Sequence, residues 1–184
     1  MRFDDIQAPF PLRAAEVALA GGHSIVFVGS FDSPADELAD LVNEQGLQAY
    51  SRRPCPCGNR CEAHFGACTC SAKEMRDWAF WHPMPTADIY VEVQTPGPET
   101  QWGENHETVM ERIRDGRWRS DPEGVGSPAG HLLDMAEHQL GLSDEQIAAT
   151  IEVAKTIARL ACDTTPIEAA YMAEAIQYLP RRST

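Results

Sequence analysis

Residues 55–70 read CPCGNRCEAHFGACTC, five cysteines and a histidine within sixteen positions, while the sixth cysteine, Cys162, lies far away in a helix-like stretch. Thiolate sulfur and imidazole nitrogen are the donors that a tetrahedral zinc ion takes. Cys55, Cys57, Cys68 and Cys70 form two CxC pairs separated by a short loop, with Cys61 and His64 as additional candidate ligands. CxC is a tighter bite than the common CxxC knuckle, and Pro56 restricts it further, yet two pairs this close can converge on one ion. Three chemistries fit these residues: a structural zinc, reduced and partly buried thiols without metal, or a redox or disulfide element. Zinc is preferred, because a glycine- and proline-rich excursion with little core of its own needs a local staple, and metal binding supplies about 10 kcal/mol. A catalytic zinc would need an open coordination position and a nearby general base. Glu62 is close in sequence, but nothing identifies a substrate pocket, so no catalytic residue is assigned.

The remaining candidates carry less chemistry. His23, His82, His106, His131 and His138 are scattered, and His131 and His138, seven apart on one helix face, have no third ligand. Trp78, Phe80 and Trp81 form an aromatic knot beside Pro83 and Pro85, expected to serve core or interface packing rather than base stacking, since few basic residues interleave with them. Cys162 is expected to be a small buried apolar residue. Basic residues concentrate in Arg112, Arg114, Arg117 and Arg119, and again in Arg181 and Arg182; solvated helix faces balancing nearby acids are the expectation there.

A chain of 184 residues is long enough for one compact domain or two small ones, so disulfides are not needed for it to fold. Hydrophobic content of 43% and charged content of 23% are those of a globular protein. No apolar run is long enough to cross a bilayer, so no membrane association is expected. MRFDDIQAPF places two aspartates where a secretory signal would need an apolar run, which makes the cytoplasm the expected compartment. In that reducing setting clustered cysteines more often bind metal than form structural disulfides. A net charge of −13 argues against a surface that grips nucleic acid everywhere, though not against a local basic patch.

The elements that must position the cysteines read as follows. LRAAEVALAGG suits a buried helix ended by Gly21 and Gly22; Ile25 to Val28 form an apolar strand ending in Gly29, of the kind found in the middle of an α/β sheet. Ser33 and Pro34 look like an N-cap and first helical residue, opening a helix through Leu38, Leu41 and Val42 that stops near Gly46. The cysteine block is an irregular excursion. DIYVEV, 88–93, alternates as a strand with two unlike faces; Glu104 to Arg117 can form a polar helix; RSDPEGVGSPAG has the composition of a linker. Residues 128–180 are expected to form three helices. One closes on Gly141, one opens at Ser143 with Gln146 in a capping box, and one opens at Thr165 with Pro166 and Glu168. Ile147, Ile151, Ala154, Ala158 and Ala161 mark one stripe; Ile167, Tyr171, Ala175 and Tyr178 mark another.

Four of these stretches carry a resemblance to a known family. RAAEVALAGGHSIVFVG, RPCPCG with the later CTC, DIYVEV, and LSDEQIAATIEVAKTIARL with AYMAEAIQY are similar in order and terminal spacing to the magnesium-chelatase-like AAA+ ATPases of the ComM/YifB type; GENHETVMERIRDGR is a weaker fit. The resemblance covers well over half the chain and implies an α/β remnant of an AAA+ core (1–98) containing a cysteine-rich, zinc-type loop (52–75). A polar helix and linker (99–127) and a C-terminal lid-like helical bundle (128–184) would follow. It does not imply catalysis. At the family's nucleotide loop this chain reads GSFDSPADEL: Gly29 remains, but Ala35 stands at the lysine position, Asp36 at the hydroxyl position, and Asp32 and Pro34 where glycines belong. Asp32, Asp36 and Glu37 would repel a triphosphate, so ATP and Mg²⁺ are not expected to bind. The segment between this loop and the cysteines is much shorter than the family's, removing its acidic strand end, and the two arginines expected of such ATPases fall on Thr86 and Glu145. The implied function is a non-catalytic binding or regulatory protein, with an intact AAA+ ring or another protein complex as partner. The alternatives are a zinc-dependent nucleic-acid-associated protein using Arg112 to Arg119, and a residual ATP-binding subunit.

Overall fold

The computed structural model describes residues 1–58 and 68–180. Cys61, His64, Arg181 and Arg182 lie outside the described residues. The first long helix, α1 (Pro9–Gly21), begins with proline, which has no N–H to lose at a helix start, and ends at Gly22 with φ 73°, a left-handed backbone that glycine adopts readily. Between them Leu12, Ala14, Ala15, Val17, Ala18, Leu19 and Ala20 are all buried.

The sheet has three strands. β1 (Ile25–Gly29) lies between β2 (Ala49–Arg52) and β3 (Ile89–Val93), both parallel to it. Ile25, Val26 and Phe27 are fully buried, as in a strand covered on both faces. β3 buries Ile89, Val91 and Val93 and leaves Tyr90 and Glu92 half-buried, which is the expected alternation. The helix α2 (Ala35–Glu44) connects β1 to β2.

The expected cap of α2 is not formed. Ser33 turns its hydroxyl back to the Ser30 carbonyl at 2.8 Å, and Pro34, not Ser33, is the residue preceding the helix. β2 has no counterpart in the periodicity of the sequence, because only Ala49 of its four residues is buried. Its outer edge is covered by Asn43, whose amide oxygen accepts from Ala49 N–H at 3.0 Å and whose amide nitrogen donates to the Ala49 carbonyl at 3.2 Å. One side chain thus replaces the next strand of the ladder and blunts the edge. The outer edge of β3 is held by Tyr90 N–H, which donates to the Tyr178 carbonyl at 2.8 Å.

The remaining helices are α3 (Ala72–Trp81), α4 (His106–Trp118), α5 (Ser127–Leu140), α6 (Asp144–Leu160) and α7 (Ala169–Gln177). α4 is capped by Asn105, which accepts from Thr108 N–H, and its nominally polar sequence buries Val109, Ile113 and Gly116. α5 closes on Gly141 at φ 62°, and Ser143 and Gln146 form the capping box of α6. The third expected cap is overturned: Thr165 bonds Asp163 instead, and Ile167 pairs with Val125 in a parallel bridge, so α7 starts at Ala169. Ile167 N–H donates to the Gly124 carbonyl at 2.7 Å and Gly126 N–H to the Ile167 carbonyl at 3.0 Å, so strand-like pairing claims backbone that a helix would have used. α6 packs on α7, α1 and α4, α5 packs on α7, and one hydrophobic cluster runs from Phe3 to Tyr178. The stripe on α6 is centred on Val153, Ala154, Ile157 and Ala158, and Ala161 is exposed beyond the helix end.

Inside this assembly Glu16, only 3% exposed, accepts from Arg13 at 2.9 Å and Arg112 at 2.7 Å. Arg13 reaches on to Glu174, which also accepts the Tyr178 hydroxyl at 3.0 Å. α1, α4 and α7 are tied through one buried carboxylate. Glu16→Gln keeps the shape and removes the charge from between two arginines. The arginines are about a third exposed, which discounts a fully buried cost. The expected loss is about 1–3 kcal/mol, read as a fall in Tm of roughly 2–4 °C per kcal/mol in thermal denaturation. An unchanged Tm would remove the network from the stability of the fold.

Candidate metal centre

β2 ends at Arg52 on the carboxyl edge of the sheet, and within three residues the chain reaches Cys55. There it turns sharply: Gly58 N–H donates to the Cys55 carbonyl at 3.0 Å, with Gly58 at φ 74°. Phe31, from the connection between β1 and α2, packs on Gly58 so closely that an added Cβ would lie 2.6 Å from its ring. The Arg53 guanidinium also stacks over the Phe31 ring, 3.6 Å from its centroid. The first CxC pair is therefore seated on the β1–α2 connection rather than on a core of its own. The second pair precedes Ser71, the N-cap of α3.

Cys55, Cys57, Cys68 and Cys70 converge, with all four sulfurs within 4.8 Å of one another. Cys55 Sγ lies 3.3 Å from Cys57 Sγ and 3.8 Å from Cys68 Sγ, and Cys57 Sγ lies 3.7 Å from Cys68 Sγ. A tetrahedron of sulfurs around one ion at a bond length of about 2.3 Å has edges of about 3.8 Å. The four sulfurs are close enough together to hold one metal ion. Terminal thiolates on an iron–sulfur cluster, each bound to a different iron, would stand farther apart. Cys55 is fully buried, and the other three are half-buried.

Electrostatics favour a cation here. The Cys57 backbone N–H draws the Cys70 thiol down, but the clustered Cys57, Cys68 and Cys55 side chains and burial outweigh it, and Cys70 is pushed up to about 12. The raised Cys70 thiol reflects the cost of placing a thiolate beside other sulfurs. A divalent ion bound by four thiolates would leave the site with a net charge of −2. Arg52 and Arg53 lead directly into the knuckle, and Arg52 Nε is buried with no hydrogen-bond partner among the described residues.

The other candidates are dispersed. Gly29 ends β1, but the connection after it is closed: Ser33 N–H and hydroxyl both meet the Ser30 carbonyl, and Ser30 Oγ lies 3.0 Å from Thr95 Oγ1. Ala35 and Asp36 sit in the first turn of α2, with Asp36 and Glu37 carrying its acidic charge. Of the arginines, Arg112 binds Glu16 and Glu104, Arg117 donates twice to the Leu19 carbonyl, and Arg119 donates to the Arg159 carbonyl. The last two satisfy carbonyls at the carboxyl ends of α1 and α6; Arg114 is exposed. His23 meets Thr156 Oγ1 at 2.9 Å, and burial lowers its pKa. His106 accepts from Phe3 N–H, His82 stacks on Trp78, and His131 and His138 are exposed. Cys162 is exposed rather than buried, because it follows α6 with φ 60°, the turn position that ends the helix. The aromatic knot is not core either: Phe80 and Trp81 are each 74% exposed.

No family model and no curated protein matches this chain. Among the described residues no helix is long and apolar enough to cross a membrane.

Gly58→Ala tests how the first pair is seated. An alanine at positive φ costs about 1–2 kcal/mol, and its Cβ would collide with Phe31. Zinc affinity, measured by competition with a chromophoric chelator, is expected to fall about tenfold or more, while Cys162→Ser leaves it unchanged. Equal affinities for Gly58→Ala and the unaltered chain would mean that the turn does not seat the ligands.

Proposed function

We propose that this chain is a non-catalytic binding or regulatory protein whose Cys55, Cys57, Cys68 and Cys70 hold a structural zinc, and that it descends from magnesium-chelatase-like AAA+ ATPases of the ComM/YifB type. The observation that supports the zinc reading is the convergence of the four sulfurs within 4.8 Å of one another, with three separations of 3.3, 3.7 and 3.8 Å close to the roughly 3.8 Å edge of a one-ion tetrahedron. Zinc when bound supplies binding energy that holds the excursion between β2 and α3. A closed four-thiolate set leaves no position for a substrate or an activated water, which favours a structural role over a hydrolytic one.

The ancestry rests on the quoted motifs. Loss of the nucleotide site is supported by the closed turn after Gly29 and by carboxylates at Asp36 and Glu37 where phosphate would need donors. What remains for such a chain is docking, with an intact AAA+ ring as the partner the ancestry suggests and α5–α7 as its lid-like part. A reducing compartment, the cytoplasm, suits free thiols that bind metal. A nucleic-acid role is not favoured, because Arg112, Arg117 and Arg119 are already engaged within the protein.

Metal content of protein purified without added metal, by mass spectrometry with thiol titration before and after chelation, tests the zinc reading. About one zinc per chain and about four thiols released by the chelator are expected; metal-free protein with freely titrating thiols would end it. For the ancestry, co-migration with an intact ring in size exclusion and no thermal stabilisation by ATP are expected. An ATP-dependent rise in Tm would instead revive the residual ATP-binding subunit.

A further inference from the structure

Ten residues form α3, and none of them is buried; Met75 and Trp78 are half-buried and the rest exposed. A helix this short is marginal in water by itself, because nucleation is costly and only Met75 and Trp78 on one face are partly covered. Much of its order has to come from its ends. At the front, Cys70 is followed at once by Ser71, whose hydroxyl accepts from Glu74 N–H while Glu74 accepts from Ser71 N–H at 2.8 Å, a complete capping box. At the back, the Tyr90 hydroxyl donates to the Pro85 carbonyl at 2.8 Å and accepts from Ala87 N–H at 2.9 Å, clamping the chain four residues beyond the helix to a core strand. Between these two anchors Trp78 stacks on His82 with centroids 3.8 Å apart, and Phe80 and Trp81 project from the helix.

The anchors are unequal in kind. The rear clamp belongs to β3 and persists as long as the sheet does. The front anchor is a pair of ligands, Cys68 and Cys70, that a bound ion would fix to Cys55 and Cys57 on the other side of the centre. We infer that occupancy of the metal centre orders α3, making it an arm whose aromatic carboxyl-terminal end is presented only while the metal is bound. This rests on the zinc reading above. Loss of the ion frees the amino end of α3 and leaves it tethered at Pro85 to Ala87, while β1, α1 and α6, which share the hydrophobic core, keep their packing.

Hydrogen–deuterium exchange of the full chain, zinc-loaded and after chelation, with metal content measured on the same samples, tests the inference. With about one zinc bound, chelation is expected to speed amide exchange across 72–81 about tenfold or more and to change β1 and α6 by less than about twofold. Ser71→Ala, which keeps every ligand, is expected to speed exchange in α3 about fivefold with zinc still bound. Zinc binding with α3 exchange unchanged by chelation, or with β1 and α6 losing protection alongside it, overturns the inference and leaves the zinc reading standing. A chain that binds no zinc ends both.

Discussion

Everything in this molecule is arranged around β1, a parallel strand buried on both faces. Parallel neighbours cannot be joined by a tight hairpin, so each must be reached by a crossover that returns the chain to the same end of the sheet. The crossover to β2 is α2, and the longer passage from β2 to β3 contains the cysteine knuckle and α3. Because the strands run parallel, the connections leaving β1 and β2 share one carboxyl edge. Phe31 from the first connection meets Gly58 from the second there. The cysteine cluster is thus placed by topology, at the edge where these two connections meet.

The elements legible in the sequence are those whose signal is local and strong. Gly22 after α1, Gly141 after α5 and Ser143 before α6 act through their own backbone or through partners three residues away, and the structure contains each as expected. The cysteine convergence was legible for the same reason, since two short-range pairs need only be brought together once. The failures share the opposite cause. β2 offers no periodicity, and its edge is held by Asn43, six residues away in another element. Thr165 and Pro166 have the composition of a helix start, but the next residue, Ile167, is taken into a bridge by Val125, forty-two positions before it. Cys162 reads as buried because it is a small apolar residue near the end of a helix, yet the helix has already turned at that residue. Phe80 and Trp81 would be core by composition, and only the placement of α3 shows that they face solvent.

Tertiary contact also decides what the charges do. Arg112, Arg114, Arg117 and Arg119 form a basic run in sequence, but α4 turns them toward different partners. Arg112 meets a buried carboxylate, Arg117 and Arg119 meet carbonyls at the ends of two other helices, and Arg114 is exposed. Lone carbonyls at helix ends need donors, and guanidinium groups supply two to a single oxygen, as Arg117 does at Leu19. A run of like charge is therefore weak grounds for an external polyanion when the helix carrying it is packed against two others.

In open parallel sheets the crevice beyond the carboxyl ends of the strands, where neighbouring connections diverge to opposite sides, is the usual place for a ligand. Here the chain fills much of that place itself. Ser33 folds back to Ser30, Ser30 meets Thr95 from the connection after β3, and Phe31 with Arg53 forms a layer beneath the cysteine turn. These contacts engage the Ser30 carbonyl and hydroxyl and the Phe31 ring within the protein, and the first turn of α2 carries Asp36 and Glu37. At the carboxyl ends of β1 and β2 the described residues thus bring chain against chain, with four sulfurs gathered beside them. An ion held by those sulfurs, as proposed above, would tie the connection after β2 to the start of α3.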